Sequence, residues 1–112
     1  MKFNREYLPE CPIATTILLI GSKWKLLIIR NLTLRTWRFN ELKNSLYGIS
    51  QKVLTQNLKE LELDGIITRT VYSQIPPKVE YELTLLGLEL VPMIRTMETW
   101  GNRFKQLQQI DF

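Results

Sequence analysis

The chain has 112 residues, of which 45% are hydrophobic, so it is long enough to bury one modest core and too short for two. With no histidine and a single cysteine, it lacks the residues for a disulfide framework, for a zinc site of the usual kind within one chain, and for Ser-His or Cys-His catalysis. Its 15 Lys and Arg against 11 Asp and Glu give a net charge of +4, which suits a polyanionic partner. We therefore predict one domain over residues 1–112, ordered from about 11 to 107, with no enzymatic activity, cofactor or metal.

Membrane and targeting signals are not found in the sequence. No apolar run approaches the roughly 20 residues that a membrane span needs, and the first residues lead into acids and prolines rather than into a signal-peptide core. We therefore expect a cytoplasmic protein without a membrane partner.

The N-terminal part is predicted to form two helices. The first, Pro12–Ile20, opens on a proline, whose missing N–H would have no partner at that position anyway. The second, Lys23–Leu32, follows a serine that can cap it. Its apolar side is assigned to the core, while its two lysines, Lys23 and Lys25, are expected to stay outside. Residues 23–43 carry six basic side chains and one acid, so this segment should produce a positive field.

A helix-turn-helix is predicted in the middle of the chain. Residues 36–39 have strand-like composition and are assigned a minor strand, after which Asn40 is expected to cap a third helix. Gly48 can take the left-handed conformation that ends a helix, and Ser50 is a good N-cap for a fourth helix over residues 50–64. Two helices joined by three residues are typical of a helix-turn-helix.

A β-hairpin should follow this unit. Residues 66–72 and 79–83 alternate in polarity and are rich in β-branched and aromatic side chains. The connection between them is too long for a tight turn and contains Pro76 and Pro77, which stiffen it. A hairpin after a helix-turn-helix is a wing, which we assign to residues 68–83.

The last helix is predicted over residues 85–107 and is capped by Thr84. It should kink or restart at Pro92, because proline removes a backbone donor and clashes one turn back. Two apolar seams run along it; one can dock on its own domain, and the other is best covered by a second copy of the chain. The predicted homodimer interface comprises Pro12, Ile13, Ile17, Ile94, Met97, Trp100, Gly101 and Phe104. The predicted fold class is mainly α with a small β-hairpin (α+β), a winged helix-turn-helix whose N- and C-terminal helices form the dimer interface.

The fourth helix has two contrasting faces. The apolar face, assigned to the core, comprises Val53, Leu54, Asn57, Leu58 and Leu61. The opposite face suits a DNA major groove, because Gln can bond bidentately to adenine, Thr can touch a thymine methyl and Lys can reach guanine or phosphate. The predicted DNA contacts of this helix are Ser50, Gln51, Lys52, Thr55, Gln56 and Lys59. The acids Glu60, Glu62 and Asp64 should sit away from the phosphates. Leu63 is expected to pack under the wing or against a partner helix.

Two other elements are expected to hold the DNA backbone. The N–H groups at the start of the third helix, near Asn40, can bind a phosphate with Arg38 beside them, and Lys78 in the wing can reach the adjacent backbone or the minor groove. The same surface also fits a winged-helix protein-interaction module that does not read bases. That module stays open as the second hypothesis, and a salt titration separates the two.

Short motifs occur along most of the chain: CP at 11–12, GSKW at 21–24, RFNEL at 38–42, GISQKVL at 48–54, LKEL at 58–61, DG at 64–65 and PPKVEY at 76–81. Together they resemble the HxlR-type winged helix-turn-helix family of bacterial regulators. The resemblance implies a homodimer that binds an inverted-repeat operator in double-stranded DNA, with the helix after Ile49 in the major groove and the Pro-Pro hairpin as wing. It implies no enzymatic activity.

The single cysteine has two open interpretations. Some members of this family use a cysteine near this N-terminal position to sense oxidants or electrophiles, and Cys11 is the matching residue. Sensing needs an accessible thiolate, and the start of a helix supplies a favourable dipole for one. The alternative is that Cys11 is a small buried residue in the dimer interface. Without a second cysteine, a sensor would form an intersubunit disulfide, a mixed disulfide or a direct adduct with an oxidant or small-molecule effector.

Overall fold

The computed structural model describes residues 7–111, with side chains described up to Gln109. Within that span the chain forms the following elements in order: α1 Pro12–Ile20, α2 Lys23–Leu32, β1 Trp37–Arg38, α3 Phe39–Ser45, α4 Gln51–Leu63, β2 Ile67–Tyr72, β3 Lys78–Leu83, α5 Leu85–Leu88 and α6 Val91–Asp111. The predicted class, mainly helical with a small antiparallel sheet, is confirmed. No single helix in the described part is long and apolar enough to cross a membrane, although α1 and α2, bent by 82° at their junction, pass that test of length and composition as a pair.

The sheet has three strands in the order β1-β3-β2, one more than the predicted hairpin. β2 and β3 pair from Ile67 opposite Leu83 to Tyr72 opposite Lys78, which is the predicted wing. The minor strand is only two residues long and pairs with the other edge of β3, with Trp37 opposite Tyr81. It is shorter than predicted because helix α3 already begins at the residue after Arg38.

The core lies between α2, α3, α4 and the base of the wing. The largest fully buried side chains are Ile28, Ile29, Leu42, Leu54, Leu58, Leu61 and Ile67. Two residues of the predicted apolar face of the fourth helix lie outside this core: Val53 is 37% exposed and Asn57 is half-buried. The buried side of α4 is therefore the narrower stripe i, i+4, i+7 that a helix places on one face.

Lys25 departs from its predicted place outside the core. The side chain is buried, and its Nζ lies 2.7 Å from Oε1 of Glu60. α2 packs against α4 at this point, so the aliphatic stem of Lys25 is covered while its ammonium finds a carboxylate on the neighbouring helix. The prediction failed because the polarity of one helix does not tell which charges the next helix brings to it.

The third helix begins differently from the prediction. Its N-cap is Arg38 rather than Asn40, which lies inside the helix. The carboxylate of Glu41 accepts a hydrogen bond from the backbone N–H of Arg38 at 2.9 Å. An acid in the first turn thus bonds the N–H of the cap residue, which is a different hydrogen bond from the one expected of a capping Asn side chain.

The C-terminal segment is two helices rather than one. α5 is capped by Thr84, whose Oγ1 accepts from the N–H of Gly87 at 3.0 Å, and α6 restarts at Val91. Pro92 takes the second position of α6, where its missing N–H costs no helical hydrogen bond, so the predicted restart is observed. Ile94 is only 4% exposed and packs in the core of its own protomer, so its predicted place in the dimer interface was wrong.

Leu63 also departs from its expected place under the wing. It is 45% exposed and borders an open hollow between the end of α4 and the start of β2. The wing therefore does not cover this side chain, and its packing against a partner helix stays a prediction.

Candidate nucleic-acid interface

The turn between α3 and α4 is held at both ends. Gly48 has a φ of +88°, a backbone conformation that favours glycine, while Leu46 and Ile49 on either side are buried. The hydroxyl of Ser50 accepts from the N–H of Val53 at 3.1 Å, which confirms Ser50 as the N-cap of α4. The orientation of α4 relative to α3 is thus determined by packing within a five-residue connection, residues 46–50, rather than the three residues predicted.

The outer face of α4 presents the predicted polar residues to solvent. The exposed side chains are Ser50, Gln51, Lys52, Thr55, Gln56 and Lys59. Five of them, all but Ser50, line one shallow concave surface together with Glu60 and Leu63. The structure thus brings this part of the predicted site together on one side of the helix, opposite the leucines that anchor it.

The acids of α4 are not all remote from this face. Oε2 of Glu60 accepts a hydrogen bond from Nε2 of Gln56 at 3.2 Å, so its carboxylate touches a residue predicted to read bases. Glu62 is exposed and Asp64 is buried. Glu60 therefore borders the predicted contact surface, and the distance of these acids from the phosphates stays a prediction.

The start of α3 exposes both predicted residues, Arg38 and Asn40, but an acid lies among them. Glu41 accepts from the Arg38 N–H and from Nη1 of Arg35 at 3.2 Å. The hydrogen bond from the Arg38 backbone, followed by that from Arg35, holds the pKa of Glu41 below its usual value. A phosphate at this helix start would meet a carboxylate that already uses one of the N–H groups.

The basic segment 23–43 presents less free positive charge than its composition predicts. Lys25 is paired with Glu60, and the Arg35 guanidinium pairs with Glu41 while it stacks 3.7 Å above the Trp37 ring. The Arg30 guanidinium donates twice to Oδ1 of Asn31. Arg38 stays fully at the surface beside the start of α3. Counting basic residues along a segment overestimates the field because the fold pairs Lys25 and Arg35 with acids, whereas Arg30 keeps its charge beside a neutral amide.

The wing carries Lys78 on its own strand rather than at a free tip. Its Nζ lies 3.7 Å from Oε2 of Glu80 and 4.3 Å from the centroid of the Tyr72 ring. The negative charge of Glu80 raises the pKa of Tyr72. At the tip, Ile75 is fully exposed.

Arg69 on β2 is an exposed basic residue of the wing that was not among the predicted DNA contacts. It lies on the same side of the strand as the buried Ile67, so strand alternation does not indicate that it is exposed.

A second surface is formed by α1 and α6. Pro12 is exposed, and large apolar side chains are exposed on both helices: Ile13 71%, Ile17 62%, Met97 46%, Trp100 65% and Phe104 49%. The rings of Trp100 and Phe104 stack with centroids 5.7 Å apart. Gly101 lies between them in sequence, and apart from its chain neighbours and the adjacent backbone of its own helix, no described atom comes within 4 Å of where its Cβ would be. Six of the eight predicted interface residues are therefore exposed on these two helices, while Gly101 is partly buried and Ile94 is buried.

Cys11 lies at the N-terminal end of this surface. The residue is exposed and takes the N-cap position of α1 with an extended backbone. Its carbonyl accepts from the N–H of Thr15 at 3.0 Å, which starts the helix. The thiol is thus accessible in the protomer and adjacent to the positive end of a helix dipole.

Comparison with known proteins matches this architecture. The HxlR-like helix-turn-helix family profile matches residues 19–109. The HTH-type transcriptional regulator YdeP of Bacillus subtilis (strain 168) is 47% identical over 103 residues, which cover 92% of this chain and 80% of YdeP. The solved structure of the redox regulator HypR in its reduced form superposes with a TM-score of 0.83 at 40% identity, covering 88% of this chain and 98% of HypR. That of reduced YodB from B. subtilis superposes at 0.73 with 37% identity, covering 86% and 95%. The chain therefore belongs to the HxlR-like helix-turn-helix family and is a transcriptional regulator of the helix-turn-helix type.

Proposed function

We propose that the protein binds double-stranded DNA as a homodimer and reads an inverted-repeat operator with the N-terminal half of α4 in the major groove. The observation that carries this proposal is the outer face of α4, where Gln51, Lys52, Thr55, Gln56 and Lys59 are all exposed on a helix anchored by three buried leucines. Because the leucines hold the helix on the core, its polar side chains can enter a groove of the DNA while the core packing stays intact.

Base reading and backbone binding fall to different residues. Gln56 and Thr55 have the donor, acceptor and methyl groups that match base edges, whereas Lys52 and Lys59 suit guanine or phosphate. Arg38 and Asn40 at the start of α3, together with Lys78 in the wing, are the proposed backbone contacts. Lys78 must leave Glu80 to make its contact, so its contribution should be smaller than that of Arg38.

The dimer is proposed to form through α1 and α6. The apolar side chains exposed there leave a surface that a second copy can cover, and a two-fold axis through it would repeat α4 on the DNA. Two recognition helices related by such an axis read half-sites of opposite direction, spaced by roughly one helical turn of DNA or a multiple of it. This is why an inverted repeat is the proposed operator.

The test is to select duplexes that the protein binds from a random-sequence library, and then to measure the affinity for the selected duplex at several salt concentrations. A palindromic consensus whose affinity falls steeply with salt is expected, because each neutralised phosphate releases counterions. Enrichment of no sequence, together with a weak salt response, would instead support the alternative, a protein-interaction module that does not read bases.

We also propose that Cys11 makes the regulator responsive to oxidants or electrophiles. Its exposure and its place at the start of α1 support this role, and the similar protein HypR is a redox regulator. Diamide should change the affinity for the selected duplex in the wild-type protein and leave Cys11→Ser unchanged. Identical responses of the two proteins would contradict the sensor role and leave DNA binding unaffected.

A further inference from the structure

The carboxylate of Glu60 lies between a buried cation and a residue of the proposed reading face. Oε1 is 2.7 Å from Nζ of Lys25 on α2, and Oε2 accepts from Nε2 of Gln56 one turn earlier on α4. The Lys25 side chain is 8% exposed and that of Glu60 is 40% exposed, so this short chain of contacts runs from the protein interior to the surface.

This contact determines which way the Gln56 amide faces. An ionised carboxylate can only accept hydrogen bonds, so the atom of Gln56 that faces Glu60 must be the amide nitrogen. The nitrogen has a second hydrogen that this bond does not use, so Gln56 can still offer its amide oxygen and one N–H, the acceptor-donor pair that matches N6 and N7 of adenine.

Lys25 in turn holds Glu60 in place. A buried ammonium needs a counter-charge, and Glu60 supplies it across the contact between α2 and α4. The carboxylate is thus tied to a second helix and does not sample the rotamers of a free surface glutamate. A side chain that is already oriented loses less freedom when it binds, so the orientation should favour the matching base pair.

We propose that Glu60 is a positioning residue for base reading, which orients the Gln56 amide and is itself held by the buried Lys25. The inference rests on the proposed function, since it assumes that Gln56 reads a base. It adds that the preference at that base depends on a glutamate that need not touch DNA and on a lysine in the protein interior.

Glu60→Gln tests this directly. The new amide can accept from Lys25 through its oxygen, but its nitrogen then faces Gln56, whose amide must turn over to offer oxygen. The expected result is a loss of roughly tenfold in preference for the favoured base pair at the Gln56 position, measured with single base-pair variants of the library-selected duplex. Glu62→Gln is the matched control, because it removes the same charge from an exposed position on the same helix and should keep the wild-type preference.

Two further variants make the outcome decisive. Adding Glu60→Gln to Gln56→Ala should change the preference no further, because the residue being oriented is already gone. Lys25→Met combined with Glu60→Met removes both charges, leaves no buried unpaired ammonium and no carboxylate to accept from Gln56, and should show the same loss if the single variant unfolds.

Wild-type preference in Glu60→Gln, when Gln56→Ala has lost it, would overturn the positioning role while base reading by Gln56 stands. If Gln56→Ala itself keeps the preference, base reading by Gln56 fails, and the inference fails with it.

Discussion

Nε1 of Trp37 donates a hydrogen bond of 2.7 Å to the backbone carbonyl of Asn31, which joins strand β1 to the end of α2. The same asparagine is buried, and its Nδ2 donates to the hydroxyl of Ser45 at the end of α3. Three elements that are separate in sequence therefore meet at Asn31. This junction fixes the first helix of the helix-turn-helix relative to the sheet, and so supports the placement of α4.

Trp37→Phe should lower the free energy of unfolding by roughly 1–3 kcal/mol, because the hydrogen bond is lost together with part of the half-buried indole ring. Urea unfolding of the purified protein measures the change. Tyr47→Phe is the control, since it also removes a donor from an aromatic ring, but at a residue that is 97% exposed. Equal stability of Trp37→Phe and wild type would mean that the carbonyl of Asn31 is satisfied in another way.

Glu41 should make stability depend on pH at the acidic end. Its pKa is lower in the folded protein than the ordinary value of about 4.3, so the carboxylate binds its proton less readily when folded. The stabilisation that the Glu41 carboxylate gives the folded protein is fully present above its pKa in the unfolded chain. It is lost as the pH falls through its lower pKa in the folded protein. Glu41→Gln should flatten this part of the stability profile, measured by urea unfolding between about pH 3 and 6. Glu62→Gln is the control, because Glu62 is exposed and should leave the profile unchanged. If the stability of Glu41→Gln fell as steeply with pH as that of Glu62→Gln, Glu41 would not be the source of the pH dependence.

Trp100→Glu should produce a protomer of 13.3 kDa in sedimentation equilibrium where the wild type gives twice that mass. A charge introduced into the proposed interface would be buried without a partner, which disfavours association. Leu85→Glu is the control because it places the same charge at a residue that is 85% exposed and lies outside α1 and α6. Dimers of Trp100→Glu would show that the interface lies elsewhere.

Gly101→Ala should weaken the dimer although it raises the helix content of the protomer. Glycine in a helix interior costs about 0.5–1 kcal/mol relative to alanine, and no described atom of the protomer would meet the added methyl group. A close approach of the partner's backbone would explain why a glycine is used there. Circular dichroism and sedimentation measure the two effects, and a tighter dimer would exclude such an approach.

Local patterns were enough to predict most of the elements and the face of α4. The bounds Pro12–Ile20 and Lys23–Leu32 were predicted as they are observed, because caps, prolines and periodicity act within a few residues. The positive φ of Gly48 and the cap at Ser50 follow from the same short-range rules. The polar residues of α4 also lie on the predicted side, since the helical period alone separates them from its leucines.

The partners of the charged residues were decided only by the tertiary structure. Whether Lys25 is buried depends on Glu60, which is 35 positions away, and the start of α3 depends on how β1 pairs with β3. Ile94 lies in the core of its own protomer because α6 packs on α2, which no periodicity along α6 reveals. Hydrophobic patterns show that a side chain needs cover, but the covering element and the charge it brings depend on contacts between segments that are distant in sequence.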